Sequence, residues 1–237
     1  MHALYTYVNE TKDIDFLRRN FTYVEYVADW VSKNWTMKDA GIWEESMQQD
    51  FTFSKVMMWV TLSTAGRMAE VIGKEDRWKG DRYRLKDWIF KNGVKDGHFV
   101  KSASDAEMDA ALLVLPLLDF VDEKDPLFSA TLKIIENELV KQSYIFRYKK
   151  DTIGEAMHPF SLCSTWLSRV YTKLGMVREA EKTMSALYDV CGKSLLLGEH
   201  IDIENKDFLG NFPQGFVHGS AVIAMIELSD AIKKQGR

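Results

Sequence analysis

The sequence predicts an all-α fold, and three observations support this fold class. Only 14 of the 237 residues are glycine and 4 are proline, so few positions interrupt helices. Alternation of apolar and polar residues, the signature of a half-buried strand, is rare. Apolar residues instead recur three and four positions apart through most of the chain, which is the spacing of one helix face.

Two kinds of predicted helix alternate along the chain. One kind has a single apolar stripe and a charged face, and the other is apolar around most of its circumference. The amphipathic helices are predicted at residues 12–33, 75–91, 126–141 and 176–191. The apolar helices are predicted at residues 51–65, 105–121, 159–174 and 213–231. The alternation indicates about four pairs of one outer and one inner helix.

The connections between these helices alternate as well. Long connections lead from each amphipathic helix to the next apolar one, at residues 34–50, 92–104, 142–158 and 192–212. Helices joined by short turns run antiparallel, so every long loop is expected at the same rim, where function usually resides. An open solenoid and a closed ring both fit, but no fixed-period repeat is present, which favours the ring.

Composition and charge narrow the possible functions. A formal charge of -4 and a pI near 5.8 argue against nucleic-acid binding. Cys163 and Cys191 lie in apolar stretches and are expected to be reduced core residues. Residues 1–10 have no signal-peptide pattern, and no long uncharged apolar run occurs, so a cytoplasmic protein without membrane contact is expected. Metal, nucleotide and serine-nucleophile motifs are absent and the five histidines are scattered, so no metal or cofactor is predicted.

Two of the long loops place carboxylates beside aromatic or apolar residues. Trp43, Glu44 and Glu45 lie in the first loop, and Glu199 lies in the last. Hydrolysis of a glycoside needs one carboxyl group to protonate the leaving oxygen and one carboxylate to act on the opposite face of the sugar. A tryptophan supplies apolar surroundings that raise an acid's pKa and a platform for a sugar ring. Spacing alone favours the simpler alternative of a carboxylate pair at a helix terminus beside a structural tryptophan.

Residues 41–44, Gly-Ile-Trp-Glu, precede an apolar helix that begins near Asp50. Further segments follow in order, namely Asp96–Val100, Asp109–Leu117, Phe146–Tyr148, Leu162–Trp166 and Leu209–Gln214. Together these segments resemble the acid-bearing loop and the later motifs of glycoside hydrolase family 15, the glucoamylase family. The resemblance covers nearly the whole chain. It implies a single helical domain over residues 1–237, part of the (α/α)6 toroid of six-hairpin glycosidases.

The resemblance also implies roles for residues at matching positions. Glu44 would be the general acid and Glu199 the general base of a hydrolase that inverts the anomeric carbon. Trp43, Glu45 and Arg147 would line the sugar site. The implied substrates are maltooligosaccharides or other α-glucosides, of which trehalose is one. The rival interpretations are a truncated, non-catalytic relative that binds carbohydrate or protein, and an unrelated helical scaffold that binds protein.

The chain also departs from the family pattern. Four helix pairs are present where the family has six, and the family's Arg-Asp pair that holds the non-reducing sugar belongs to the absent part. Gly154-Glu155 runs into Ala156 where relatives often have Gly-Glu-Gly. The inner helices at 51–65 and 213–231 would each lack a neighbour on one side. The chain is then expected to close the gap itself, to dimerise across it or to bind a second polypeptide.

Overall fold

The computed structural model describes residues 1–151 and 154–236. Arg237 and residues 152 and 153, which belong to the predicted loop 142–158, lie outside the described residues. The chain divides into two compact units. The first comprises Met1–Asp96 with Lys101–Ala106, and the second comprises Gly97–Val100 with Glu107–Arg237. Their association into the single domain that the sequence predicts stays a prediction.

The first unit is built around one buried helix. Its elements are α1 (His2–Thr11), α2 (Ile14–Asn34), α3 (Thr52–Val71), α4 (Lys79–Asn92) and the short strand β1 (Val94–Lys95). α3 contacts α1, α2 and α4. The amphipathic α2 turns its apolar stripe inward, with Leu17, Phe21 and Val24 buried. α3 is therefore the inner helix that its apolar sequence predicts.

The second unit combines helices with three short antiparallel hairpins. Its elements are β2 (His98–Phe99), a 3-10 turn (Ala110–Leu113), α5 (Val114–Leu117), α6 (Pro126–Leu139), β3 (Val140–Lys141), β4 (Tyr144–Ile145), β5 (Lys150–Asp151), β6 (Gly154–Glu155), α7 (Ser161–Lys173), α8 (Val177–Asp189), a 3-10 turn (Gly192–Ser194), β7 (His200–Asp202), β8 (Asp207–Leu209) and α9 (Gly215–Lys234). β3 pairs with β4, β5 with β6 and β7 with β8. α7 contacts α8 and α9 and is buried along most of its length.

Local sequence signals set several helix ends. The Asp13 carboxylate accepts a hydrogen bond from the Phe16 backbone N–H at 2.8 Å and caps α2. Asp125 caps α6 in the same way, and Pro126 follows it at the first helical position, where its missing N–H costs nothing. Such a cap contributes about 1 kcal/mol. Gly175, with φ 75°, ends α7 in the left-handed conformation that glycine adopts without strain.

One ion pair of the first unit depends on a glycine in the middle of α3. Arg82 pairs with Asp76 at 2.8 Å. A β-carbon on Gly66 would lie 2.5 Å from Oδ2 of Asp76, so only glycine fits beneath this pair. Glycine inside a helix costs about 1 kcal/mol of stability relative to alanine. At Gly66 the missing β-carbon leaves room for the charged pair against α3.

Both cysteines are buried free thiols, as the sequence predicts. Burial raises the pKa of the Cys191 thiol to about 11. Burial, reinforced by the negative charge of Asp109, also raises the pKa of Cys163. Neither thiol is therefore a ready nucleophile near neutral pH.

The all-α prediction is confirmed, but two helices differ from expectation. The predicted helix 105–121 is wrong, because only residues 110–117 are helical and half of them form a 3-10 turn. Pro116 has no N–H to donate to the Leu112 carbonyl, which disfavours one long regular α-helix here, although Leu112, Leu113 and Leu115 are buried as the apolar run predicts. The pattern also failed to predict α1, which has a single buried residue, Val8.

The two apolar end helices differ in exposure. α3 is covered, because the unpredicted α1 packs against it together with α2. α9 has the predicted exposed apolar face, formed by Phe216, Val222, Ile223, Met225 and Ile226. Of the helices in the described part of the chain, α9 is also the one whose length and mean hydropathy would suit a membrane span, a test that the core helix of a soluble protein passes as well.

Candidate active site

The loop that joins α2 to α3, residues 35–51, is tied together at its base by a buried lysine. Lys55, fully buried on α3, donates hydrogen bonds to the backbone carbonyls of Trp35 and Met37, both at 2.7 Å. Its ammonium also pairs with the Asp50 carboxylate at 3.0 Å. Because these partners come from both ends of the loop, one side chain closes it.

Further along the loop, Asp39 and Gln49 form a short β-bridge, and residues 40–48 between them are the tip of the loop. Asp39 and Gln49 exchange two backbone hydrogen bonds at 3.0 and 2.9 Å. The Asp39 carboxylate also accepts from the Gly41 N–H at 2.6 Å. Gly41, with φ 67°, rests on the Phe51 ring, which would lie 3.0 Å from a β-carbon at this position. The bridge therefore fixes where the tip begins.

The tip carries the three loop residues that the sequence selects. Trp43 is half-buried, Glu44 is exposed and Glu45 is buried. Glu44 has φ 55°, a left-handed conformation that side-chain-bearing residues adopt at a cost and that is frequent at active sites. Its carboxyl group is thus accessible, as a proton donor must be. The Glu45 carboxylate is instead paired with the Lys101 ammonium at 2.8 Å, with only 3% of its side chain exposed.

In the second unit, Glu199 immediately precedes β7 and is anchored by Asn211. One carboxylate oxygen, Oε2, accepts from the Asn211 backbone N–H and from its Nδ2, each at 2.9 Å. Gly210 is needed for this approach, because a β-carbon there would lie 2.6 Å from Oε2. The other oxygen, Oε1, accepts no hydrogen bond from the described residues. It is therefore the oxygen that could receive a proton from water.

The backbone on either side of Glu199 is also fixed. The Glu199 N–H donates to the Asn211 carbonyl at 3.0 Å, and its carbonyl accepts from the Ser161 N–H at 2.9 Å. His218 on α9 accepts from the Leu197 N–H at Nε2, 3.1 Å away. Its Nδ1 lies 2.8 Å from the Gln214 carbonyl and can only donate to it, because a carbonyl oxygen accepts. The scattered histidines gave no sign of this role.

Arg147 and His200 lie at a cavity of about 320 Å³, within the size range of small-molecule sites. Glu155, exposed on β6, also lines it. The Arg147 guanidinium lies over the Tyr148 and Phe160 rings, 5.1 and 5.4 Å from their centroids. Burial, followed by the charge of Arg147, lowers the pKa of His200 despite the opposing effect of Glu199.

The predicted site residues therefore fall into two groups. Trp43, Glu44 and Glu45 share one loop of the first unit, and Arg147 and Glu199 both act on His200 in the second. Glu45 is held by Lys101, which the sequence did not single out, and Glu199 is held by Asn211, which lies in the motif Leu209–Gln214 but was given no role. Within residues 1–151 and 154–236, no group of three His, Cys, Asp or Glu side chains could hold a metal ion.

Comparison with known proteins connects this geometry to a family. The sequence profile of the glycosyl hydrolases family 15 matches residues 1–194. Trehalase 1 of Sulfolobus acidocaldarius is 44% identical over 228 residues, which are 95% of this chain and 40% of the relative. The trehalase of Mycobacterium tuberculosis is 32% identical over 205 residues, 83% of this chain and 30% of the relative. The chain thus spans two fifths or less of the length of these curated relatives.

Solved structures show the same fold at low sequence identity. A bacterial glucoamylase complexed with acarbose superposes with a TM-score of 0.78 at 14% identity, covering 94% of this chain and 39% of that one. The glucoamylase of Saccharomycopsis fibuligera gives 0.73 at 13% identity, covering 86% and 60%. These likenesses confirm the predicted fold class. Because the family profile matches well over half of the residues, this chain belongs to glycosyl hydrolases family 15.

Proposed function

We propose that this chain supplies the general acid and the general base of an inverting glycosidase that hydrolyses the α-glucosidic bond of trehalose. The choice of substrate is supported by relatives named trehalase that are 44%, 40% and 32% identical to the chain. Maltooligosaccharides and other α-glucosides are the alternative substrates. Glucoamylases resemble the chain in fold at 14% identity or less, which carries no information on substrate.

The anchoring of Glu199 is the observation that carries this proposal. Asn211 holds Oε2 with two hydrogen bonds and leaves Oε1 for a water molecule. A general base must be oriented toward the proton it removes, and this arrangement orients Glu199. Glu44, exposed at the tip of a tied loop, is suited to donate a proton to the leaving oxygen. Trp43 would contact the sugar ring with its indole, and Arg147 would bind sugar hydroxyls.

The proposed reaction consumes one water molecule. The water oxygen bonds to the anomeric carbon while its proton passes to Glu199, and the glycosidic oxygen departs with the proton of Glu44. Inversion needs room for this water, so carboxyl groups of such pairs lie roughly 6.5–9.5 Å apart. Trehalose joins two α-glucosyl units. Each turnover should therefore release one β-glucose from the attacked ring and one α-glucose from the leaving ring.

Proton NMR of a fresh trehalose reaction tests the proposal directly. Equal initial amounts of α- and β-glucose are expected, with mutarotation following later. Glu44→Gln and Glu199→Gln keep the side-chain shape but remove the acid or the base, and each should lower kcat about 10²–10⁴-fold. Initial release of α-glucose alone would contradict inversion. Full activity of both variants would eliminate these two residues as the acid and the base.

A non-catalytic role is the second candidate, and the exposed apolar face of α9 favours it, because such a face is a surface on which another polypeptide could bind. Such a chain would bind carbohydrate or another polypeptide without turnover. Glucose release from trehalose by the purified chain excludes this candidate. Binding of trehalose without glucose release, measured by calorimetry, supports it.

A further inference from the structure

Lys101 is a buried lysine that lies next to the loop of the proposed acid. Its side chain is 2% exposed, and its ammonium lies 2.8 Å from Oε1 of Glu45. A second carboxylate, that of Asp105, is 3.6 Å away and partly exposed. An ammonium withdrawn from water is strongly unfavourable without an opposite charge. Glu45 therefore cannot leave Lys101 without a large penalty, and the pair acts as a fixed contact.

The segment that carries Lys101 is joined to the loop through other bonds as well. The Lys101 carbonyl accepts from the Thr52 N–H at 2.9 Å, and the Ala103 N–H donates to the Asp50 carbonyl at 3.1 Å. The Ser102 hydroxyl donates to the Gln49 side chain at 2.6 Å. Residues 101–105 thus line the carboxy-terminal end of the loop. The ion pair between Lys101 and Glu45 connects the same segment to the tip of the loop.

At the tip, the conformation of Glu44 depends on its neighbour. The Glu45 N–H donates to the Ala40 carbonyl at 2.7 Å, which closes the turn 40–45. Glu44, one residue earlier, has φ 55° and an exposed side chain. A backbone conformation of this kind persists only where the surroundings determine it. The backbone hydrogen bond of Glu45 and the ion pair of its carboxylate with Lys101 determine the backbone immediately beside Glu44.

We propose that Lys101 is a positioning residue, which holds the turn 40–45 through its ion pair with Glu45 and so presents Glu44 to the substrate. The proposal rests on the proposed function of Glu44 as the acid. It also gives Glu45 a different task from the direct sugar contact that family resemblance implies. The buried carboxylate of Glu45 then affects the reaction indirectly, by fixing the loop that carries Glu44.

Hydrogen exchange and kinetics of Lys101→Met in the full chain test this proposal. The amides of residues 39–51 should exchange faster, because the tip loses its internal anchor. With trehalose, kcat should fall about 10²-fold while KM changes less, as expected when a catalytic group is misplaced by a small distance. The matched control is Arg82→Met, which breaks an ion pair of the same 2.8 Å length in the same unit. It should lower the melting temperature without changing exchange at 39–51.

A double variant separates positioning from stability. Glu45→Gln with Lys101→Met removes both charges, so no buried ion is stranded and the melting temperature should recover toward that of the wild type. Exchange at 39–51 should stay fast and kcat low. Wild-type exchange and kcat in the double variant would overturn the proposal, as would unchanged exchange in a folded Lys101→Met. A wild-type chain that releases no glucose would refute the proposed function, whereas the exchange result would still decide whether Lys101 holds the turn.

Discussion

Asn211 contributes two hydrogen bonds to Glu199, and one of them can be removed without disturbing the backbone. Asn211→Ala deletes the bond from Nδ2 and leaves the bond from the N–H. A hydrogen bond to a charged group is worth about 1.5–3 kcal/mol, so kcat on trehalose should fall about 10-fold or more with little change in KM. Steady-state kinetics would measure both constants.

Asn205→Ala is the matched control for this variant. Asn205 donates through Nδ2 to the Asp202 carboxylate at 2.8 Å, in the turn between β7 and β8. The substitution removes an amide donor, as Asn211→Ala does, but from a carboxylate that has no proposed part in the reaction. A kcat close to that of the wild type is expected. Equal losses in the two variants would mean that Asn211 only stabilises the fold.

The residues that carry the proposed chemistry could be predicted from the sequence, whereas their partners could not. Glu44 lies in a motif that resembles that of a known family, and Glu199 is assigned by its position before the motif Leu209–Gln214. Lys101 lies 56 positions beyond Glu45, within a polar stretch whose composition is typical of an exposed loop. Lys101 is buried because residues 101–103 pack against the loop that carries Glu45, and the sequence around Lys101 alone does not indicate this contact. His218 was equally undetectable, because its hydrogen bond with the Leu197 N–H depends on where α9 meets the loop that carries Glu199.

At the level of the element, the free energy of unfolding should depend on pH through His200, the first residue of β7. Burial and the charge of Arg147 lower the pKa of His200, with a small further effect of His158, and Glu199 opposes them. In the unfolded chain the ring titrates near pH 6.5. Below that pH the unfolded chain binds a proton that the folded chain does not, so stability should fall as pH falls through this range.

Thermal melts at pH 7 and pH 5 would measure this effect. His200→Gln should have a smaller difference between its two melting temperatures than the wild type. If His200→Gln retained the full difference, groups other than His200 would have to account for it.

Element order was predictable because long helices have a strong period, and the exceptions are short. α2, α6, α7, α8 and α9 lie where the apolar spacing places them, within a few residues. The hairpins β3–β4, β5–β6 and β7–β8 have two or three residues per strand, too few for an alternating pattern to be recognised. Apart from β3, which takes the last two residues of the predicted helix 126–141, they occupy the predicted long loops, so the sequence located the connections but not their structure.

For the molecule as a whole, the exposed apolar face of α9 should control association. Val222 and Ile226, 57% and 58% exposed, lie one helical turn apart. We expect the purified chain to self-associate as its concentration rises, because apolar patches of this kind are normally covered. Val222→Lys with Ile226→Lys should remain monomeric in sedimentation velocity experiments, and its melting temperature should match that of the wild type at concentrations where the wild type is monomeric.

Tyr83→Lys provides the control for this variant. Tyr83 on α4 is 61% exposed, and its replacement should leave association unchanged. A wild-type chain that stays monomeric at every concentration would show that the apolar face of α9 remains exposed to solvent without causing association.

The same face of α9 links the stability of this chain to mass action. A partner that binds only the folded state lowers its free energy by RT ln(1 + [L]/Kd), which is about 2.7 kcal/mol when the partner is present at 100 times its Kd. Typical domains have about 5–15 kcal/mol of stability in total, so such a gain is a large fraction. The melting temperature of this chain is then a property of a solution of stated composition, and dilution alone should lower it.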